Sequence, residues 1–342
     1  MILPYRTRRF FRGLASFILV LILLAVAVWL VWLLWLDRYV VYTSDGAKLD
    51  FSQSDKTISG VPAVPPEDDF TVSIYYNEGD QALNMSTELT QVAGYYIDTQ
   101  MLLYEMDTVM AQLRKLPAQT PVLVEIKDIV GRFYFSTALG PVSSSVDLDK
   151  MEDLLTFLKL SDLYAIAKFP ALRDYYYGLD HVSDGIFLRS GKGLWMDEDR
   201  CYWLNPTSNG TQEYIIRIIE ELKAKGFDEV VLGDYAIPET EAVKFGSSRK
   251  QALSDTAAAI LAACGTERFA VSFCVSNTSF SLPLGRSRMY MQDQVASQLK
   301  TLATESGLED PTVYLVFLTE TNDTRFNEYG VLRPLTNAQL EE

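Results

Sequence analysis

The chain has 342 residues, with 30 basic and 45 acidic side chains and a formal net charge of −15. A surface this acidic repels nucleic acid and anionic headgroups, so neither is expected as a partner. Cys201, Cys264 and Cys274 are too few and too scattered for a disulfide framework or a zinc site, and they read as small buried apolar residues. His181 is the only histidine, which excludes a histidine-based triad and a multi-histidine metal centre. No dinucleotide, phosphate-loop or calcium-loop motif is present, and no cofactor or metal is expected.

Residues 14–36 contain no charge, and a helix of that length crosses a hydrocarbon core of about 30 Å. Arg6, Arg8, Arg9 and Arg12 precede it, and basic residues beside a first span stay on the cytoplasmic side. Trp29, Trp32 and Trp35 gather toward the other end, where indole rings favour the membrane interface. The competing reading is a cleaved signal peptide, which has an apolar core of roughly 7 to 15 residues and then a small-residue cleavage site. Here Trp35-Leu36-Asp37-Arg38-Tyr39 follows instead. The expectation is a cytoplasmic tail over 1–13, a single span over 14–36 in the cell membrane, and an extracytoplasmic remainder with 26 basic against 45 acidic residues.

Within 37–91, residues 38–51 alternate around Asp45-Gly46, as a small hairpin does. Residues 52–70 hold Gly60, Pro62, Pro65 and Pro66 and form a connector. From residue 92 to 335, short β-branched or aromatic runs alternate with helix-period stretches, the pattern of parallel strands with crossover helices. The strands are expected at 92–98, 121–127, 164–169, 229–233, 269–275 and 312–318. Leu102, Met106, Val109 and Leu113 share one helical face, as do Met151, Leu154, Leu155 and Leu158, and Ile215, Ile218, Ile219 and Leu222 before a capping Gly226. The fold class is α/β, and repeated units over roughly 240 residues favour a TIM-type barrel over an open doubly wound sheet. Between 275 and 312 only one helix is evident, containing Val295, Leu299 and Leu302, so the barrel is expected to be incomplete or irregular. Residues 329–335 could add an edge segment before a polar tail over 336–342.

Several stretches carry a resemblance. Val122-Leu-Val-Glu-Ile-Lys-Asp128, Tyr164-Ala-Ile-Ala-Lys168, Gly193-Leu-Trp-Met-Asp197, Tyr202-Trp-Leu-Asn-Pro206 and Gly226-Phe-Asp-Glu-Val-Val-Leu-Gly-Asp-Tyr-Ala-Ile-Pro238 have the order and spacing of the bacterial glycoside hydrolase-like barrel family DUF4015. The chain resembles a divergent member over about residues 92–318, most specifically over 197–238. The resemblance implies a TIM barrel similar in appearance to the α-amylase barrels, commonly secreted or membrane-anchored, acting on carbohydrate.

The departures bear on chemistry. Family members read Phe-Asp-Tyr-hydrophobic-Arg-Phe-Pro at the end of the fourth strand, and an ungapped alignment puts Gly233 and Ala236 where the aspartate and arginine belong. Asp234 takes over only if the strand shifts by one residue, which turns a side chain to the other face, or if a bulge at Gly233 restores its aim. On the fifth strand relatives read Val-Ser-Ala-Asp-Val, and this chain has Cys274 in place of the acid. Glycoside hydrolysis ordinarily needs two carboxyl groups, so Asp234 and Glu320, just past the last clear strand, are the catalytic candidates.

Asp98, Glu125, Lys127, Asp128 and Lys168 are expected to form a polar network at the barrel mouth. Within it Glu125 and Lys127, two residues apart, would both point inward as a pair, either structural or catalytic. Trp195, Asp197, Tyr202, Trp203 and Tyr235 are candidates for substrate binding, together with the run Tyr175-Tyr176-Tyr177, although aromatics at such spacing also fill cores. Two functions remain open. One is an enzyme acting on an envelope or extracellular polysaccharide; the other is a catalytically lapsed barrel that binds glycan or an envelope protein.

Overall fold

A computed structural model describes residues 24–25, 29, 40–43, 46–49, 88–243, 245–278 and 280–337. The chain divides into two compact units, Met1–Asp80 and Gln81–Glu342. In the first, strands Val40–Thr43 and Gly46–Leu49 pair antiparallel, with Thr43 opposite Gly46, as the alternation around Asp45-Gly46 predicts. The expected span over 14–36 lies outside the described residues apart from 24–25 and 29, as do the tail over 1–13 and the connector over 52–70. Among the described residues no helix is long and apolar enough to cross a membrane.

The second unit is a closed barrel of eight parallel strands. We number them β1 (Ala93–Ile97), β2 (Pro121–Glu125), β3 (Tyr164–Pro170), β4 (Glu229–Gly233), β5 (Ala270–Cys274), β6 (Met289–Gln292), β7 (Leu315–Leu318) and β8 (Gly330–Pro334). Each strand alternates its side chains between two apolar layers, which is why the runs are hydrophobic on both faces. Leu123, Ile166, Val231, Tyr290, Val316 and Leu332 fill the lumen. Val122, Val124, Ala167, Val230, Phe273 and Phe317 instead belong to the larger core cluster that also holds the helices' buried residues. Gly94 lets β1 approach β2, since a Cβ there would lie 2.1 Å from the Pro121 carbonyl oxygen.

The helices bury the expected faces. Leu102, Met106, Val109 and Leu113 are all buried, but the segment breaks at Glu105 into α1 (Thr99–Tyr104) and α2 (Met106–Leu113). In α3 (Leu148–Leu160), Asp147 caps the first turn by accepting from the Lys150 N–H, and Met151, Leu154, Leu155 and Leu158 face inward. A short α4 (Tyr175–Asp180) is followed by α5 (Asn209–Lys225), which ends at Gly226 with φ 98°, a left-handed cap that glycine adopts without a Cβ penalty. The Ser248 hydroxyl caps α6 (Arg249–Cys264).

The expectation of an incomplete barrel is corrected, because the eight strands close. Two of them had no clear hydrophobic signature. β6 is four residues long and follows Arg286-Ser-Arg288, whose last arginine is buried in an ion pair. β8 contains Arg333 and Pro334, yet it is no edge: it pairs with β7 on one side and β1 on the other. The strand expected from residue 312 begins later, after the helical turn α8 (Pro311–Tyr314), and the preceding helix α7 (Leu299–Glu305) leaves Val295 exposed.

Candidate active site

Lys168 occupies the centre of the barrel's C-terminal mouth. It follows the lumen residue Ile166 by two positions on β3 and points the same way. Its Nζ donates to Glu125 Oε1 at 3.2 Å and to Gln292 Oε1 at 2.9 Å, tying the ends of β2, β3 and β6 together. Burial works against its charge, but the acidic groups beside it, Glu125 and Asp234 among them, outweigh that and hold the ammonium above its usual range. Glu125 is fixed from its other side, accepting from the Thr99 N–H at 3.0 Å and the Thr99 hydroxyl at 2.9 Å.

Beyond β4 the ladder runs to Gly233, opposite Pro170, with no bulge. The turn is made instead by Asp234, whose backbone is left-handed at φ 46°. Burial raises its carboxyl above the usual aspartate range, Arg173, Lys168 and Lys127 partly offset this, and Asp197 adds to it. The positive charge that Ala236 does not supply therefore comes from Arg173 and Lys168. Cys274, buried at the end of β5, has its thiol pushed up to about 11 by burial, so it is neutral at ordinary pH. After β6, Asp293 is exposed and also left-handed, at φ 58°. Tyr96, on β1, is raised above its usual range by burial and then by the charges of Glu320, Asp98, Asp293 and Glu125, so these acids surround one mouth residue. Glu320 itself is exposed.

Three members of the expected network do other work. Lys127 does not pair with Glu125: its Nζ lies 2.8 Å from Asp174 Oδ2, both side chains are wholly buried, and it also donates to the Pro170 carbonyl at 3.1 Å. β2 ends at Glu125, and strand alternation no longer orients residues past that point. Asp128 stays outside the Lys168 cluster and accepts from the Arg132 N–H and Nε at 2.8 and 3.0 Å, closing a turn. Asp98 caps α1, accepting from the Met101 N–H at 2.9 Å.

The loop between β3 and α5 carries the remaining candidates. Asp197 accepts from Arg173 Nε at 2.5 Å, Trp203 Nε1 at 2.8 Å and the Cys201 N–H at 2.9 Å. Burial opposes its charge, but these donors hold its carboxyl below the usual range. Arg173 also bonds Asp199 and lies over the Trp203 ring at 5.7 Å, so the group buttresses the rim beside Asp234. Tyr202 stacks on Tyr175 with centroids 5.4 Å apart, and Trp195 tilts against Trp203; all four rings are partly exposed, and Tyr176 more so. Tyr235 is a correction. It is 1% exposed, donates to the Leu253 carbonyl at 2.9 Å and packs on Phe273 and Phe280, because the chain turned at Asp234 sends the next side chain into the core.

Sequence reasoning missed Arg173, Gln292 and Asp293. The last two went unseen because β6 itself was missed; Arg173, three residues past β3, lay where barrel chemistry is built and carried that much signal. Among the described residues no group of three or more His, Cys, Asp or Glu side chains is arranged to hold a metal ion.

The model of the DUF4015 family, described as "Putative glycosyl hydrolase domain", matches residues 96–305, more than half of the chain. Solved structures resemble the barrel. A hypothetical protein from Ruminiclostridium thermocellum ATCC 27405 is 17% identical over 53% of this chain and 96% of that one, with a TM-score of 0.45. The α-galactosidase from Lactobacillus brevis is 12% identical over 75% of this chain, which spans 39% of that enzyme's length, with a TM-score of 0.48. The glycoside hydrolase domain of PelA from Pseudomonas aeruginosa is 12% identical over 74% of this chain and 98% of that one, with a TM-score of 0.45. At such identities and scores nothing about activity passes from them to this chain. No curated protein sequence matches significantly.

Proposed function

Because this chain belongs to the DUF4015 family, we propose that it is a membrane-anchored, extracytoplasmic glycoside hydrolase-like protein whose barrel mouth acts on polysaccharide of the cell envelope or its surroundings. The observation that carries the reading is Asp234. It stands at the C-terminal end of β4, where barrel chemistry is built, in a strained left-handed backbone, with burial raising its carboxyl above the usual aspartate range and with Arg173 and Lys168 beside it. A carboxyl with a raised pKa donates a proton to a departing glycosidic oxygen, an effect of roughly 10²- to 10⁴-fold. The partly exposed rings of Tyr175, Trp195, Tyr202 and Trp203 support the carbohydrate reading, since flat aromatic faces suit sugar C–H surfaces. Anchoring is supported by the charge-free run over 14–36 behind four arginines.

The test is hydrolysis and binding by the full chain in detergent, on a panel of envelope polysaccharides beside ordinary α-glucans. Turnover is expected on the former and weak or absent turnover on the latter, with Asp234→Asn reducing hydrolysis by about 10²-fold or more while binding persists. A second reading, a lapsed barrel that only binds glycan, is favoured by one observation: Cys274 stands where relatives carry an acid, and its thiol is neutral. Binding without turnover, unaffected by Asp234→Asn, would establish it. Topology is tested separately, by external protease on intact spheroplasts; digestion should begin after Asp37.

A further inference from the structure

Two of the four non-glycine residues with a left-handed backbone among the described residues are mouth aspartates: Asp234, immediately after β4, and Asp293, immediately after β6. β5 lies between those strands in the barrel and ends at the lumen-facing Cys274. The aspartates therefore flank a strand end that carries a buried, uncharged thiol and no carboxylate. Asp293 also adjoins the Lys168 centre through its neighbour, because Gln292 accepts from Lys168 Nζ at 2.9 Å. Its charge is felt at both Cys274 and Tyr96, on opposite sides of the mouth opening. An aspartate that is itself left-handed just past a strand end carries its carboxyl on a short stem fixed by the backbone, which suits a group that must meet a substrate atom.

We propose that Asp293 is the second carboxyl group of this site, replacing from β6 the acid that β5 lacks, and that it acts as the base toward water. The proposal rests on the hydrolase reading of Asp234. The two aspartates sit in different environments, and that divides the work: Asp234 is half-buried between β4 and the Arg173 rim, where burial favours its protonated form, whereas Asp293 is open to solvent, where water reaches it. In the reaction, a water molecule gives a proton to the Asp293 carboxylate as its oxygen bonds to the anomeric carbon. The glycosidic C–O bond breaks with its electron pair going to the leaving oxygen, which takes the Asp234 proton. The products are a sugar hemiacetal and an alcohol; the two carboxyls have exchanged protonation states, and solvent restores them. No electrons are gained or lost.

Asparagine tolerates the left-handed region, so Asp293→Asn and Asp234→Asn remove charge while keeping the backbone. The full chain and both variants would be compared by thermal melting and by turnover of the polysaccharide that the wild type hydrolyses. They would also be compared on 2,4-dinitrophenyl glycosides of both anomeric configurations, whose leaving group departs without a proton. Asp234→Asn is expected to fail on polysaccharide but keep most of its rate on the dinitrophenyl substrate. Asp293→Asn is expected to lose about 10²-fold or more on both. Asp293→Gly, which the left-handed backbone also accepts, should regain turnover of the dinitrophenyl substrate when formate is added as an external base. Wild-type rates in Asp293→Asn alongside a crippled Asp234→Asn would overturn the inference and leave the hydrolase reading intact. A wild type that turns over no substrate in either panel would remove both together.

Discussion

The two ends of the barrel use similar chemistry to opposite effect. At the N-terminal end Glu229 and Arg288 form an ion pair whose side chains are 0% and 3% exposed. Ser272 and Tyr290 donate to Glu229 Oε1 at 2.5 and 3.0 Å, Tyr164 donates to Oε2 at 3.0 Å, and Arg288 reaches the Thr90 carbonyl at 2.9 Å. Both carboxylate oxygens are occupied and water is excluded. At the C-terminal end Lys168, Glu125 and Gln292 hold one another, but Asp234 is influenced by burial and nearby charge, and Asp293 stands in solvent. A buried ionic group whose partners are all internal specifies strand positions; one left facing an opening is available to a ligand.

The largest test of that contrast is Glu229→Ala, which strands Arg288 without its partner and should cost about 3–5 kcal/mol in urea unfolding. A loss under about 1 kcal/mol would mean that the lower network is ornamental. Trp203→Ala removes a partly buried ring and its bond to Asp197, and should cost about 2 kcal/mol, less than a fully buried tryptophan, with no sugar present. Unchanged melting with lost glycan affinity would make Trp203 a ligand platform.

The mouth and its rim should also differ in the sign of their pH dependence. The folded pKa of Asp234 lies above that of an unfolded aspartate, about 3.9, so its ionisation costs the folded state stability. That cost is absent below the unfolded value and grows as pH rises through the folded one, so Asp234→Asn should raise the melting temperature at pH 7 and leave it unchanged near pH 3. For Asp197 the folded value is lower than the unfolded one, and its stabilisation is present above the unfolded value and lost as pH falls. Asp197→Asn should therefore destabilise at pH 7 and lose that effect in acid. The smallest effect is expected from Glu320→Gln, an exposed loop change that should leave stability within about 0.5 kcal/mol.

Where hydrophobic periodicity was strong, the fold was legible: the faces of α3 and α5 and strands β2 to β5 emerge from apolar spacing alone. It failed at β6, which is only four residues long and follows an arginine that a distant glutamate neutralises inside the barrel, and at β8 it suggested no more than an edge segment, because Arg333 and Pro334 interrupt the apolar pattern. The mouth was legible as a place, through Glu125, Lys168 and Asp234, but not as a set of partners. Lys127 meets Asp174, 47 positions further along the chain, and no local spacing encodes that pairing. Asp234 is aimed by a backbone angle rather than by a bulge, and a non-glycine left-handed residue leaves no mark in composition or period.

The closure of β8 onto β1 has a consequence for handling the molecule. The family match ends at residue 305, before β7 and β8, so a fragment cut to 96–305 would retain strands only as far as β6. Only Tyr96 and Ile97 of β1 would remain, so it would present two unpaired strand margins, one along β2 and that remnant of β1 and one on β6, each with unused N–H and C=O groups. Margins of that kind recruit other chains, and such a fragment would sediment as aggregate whatever its catalytic groups could do.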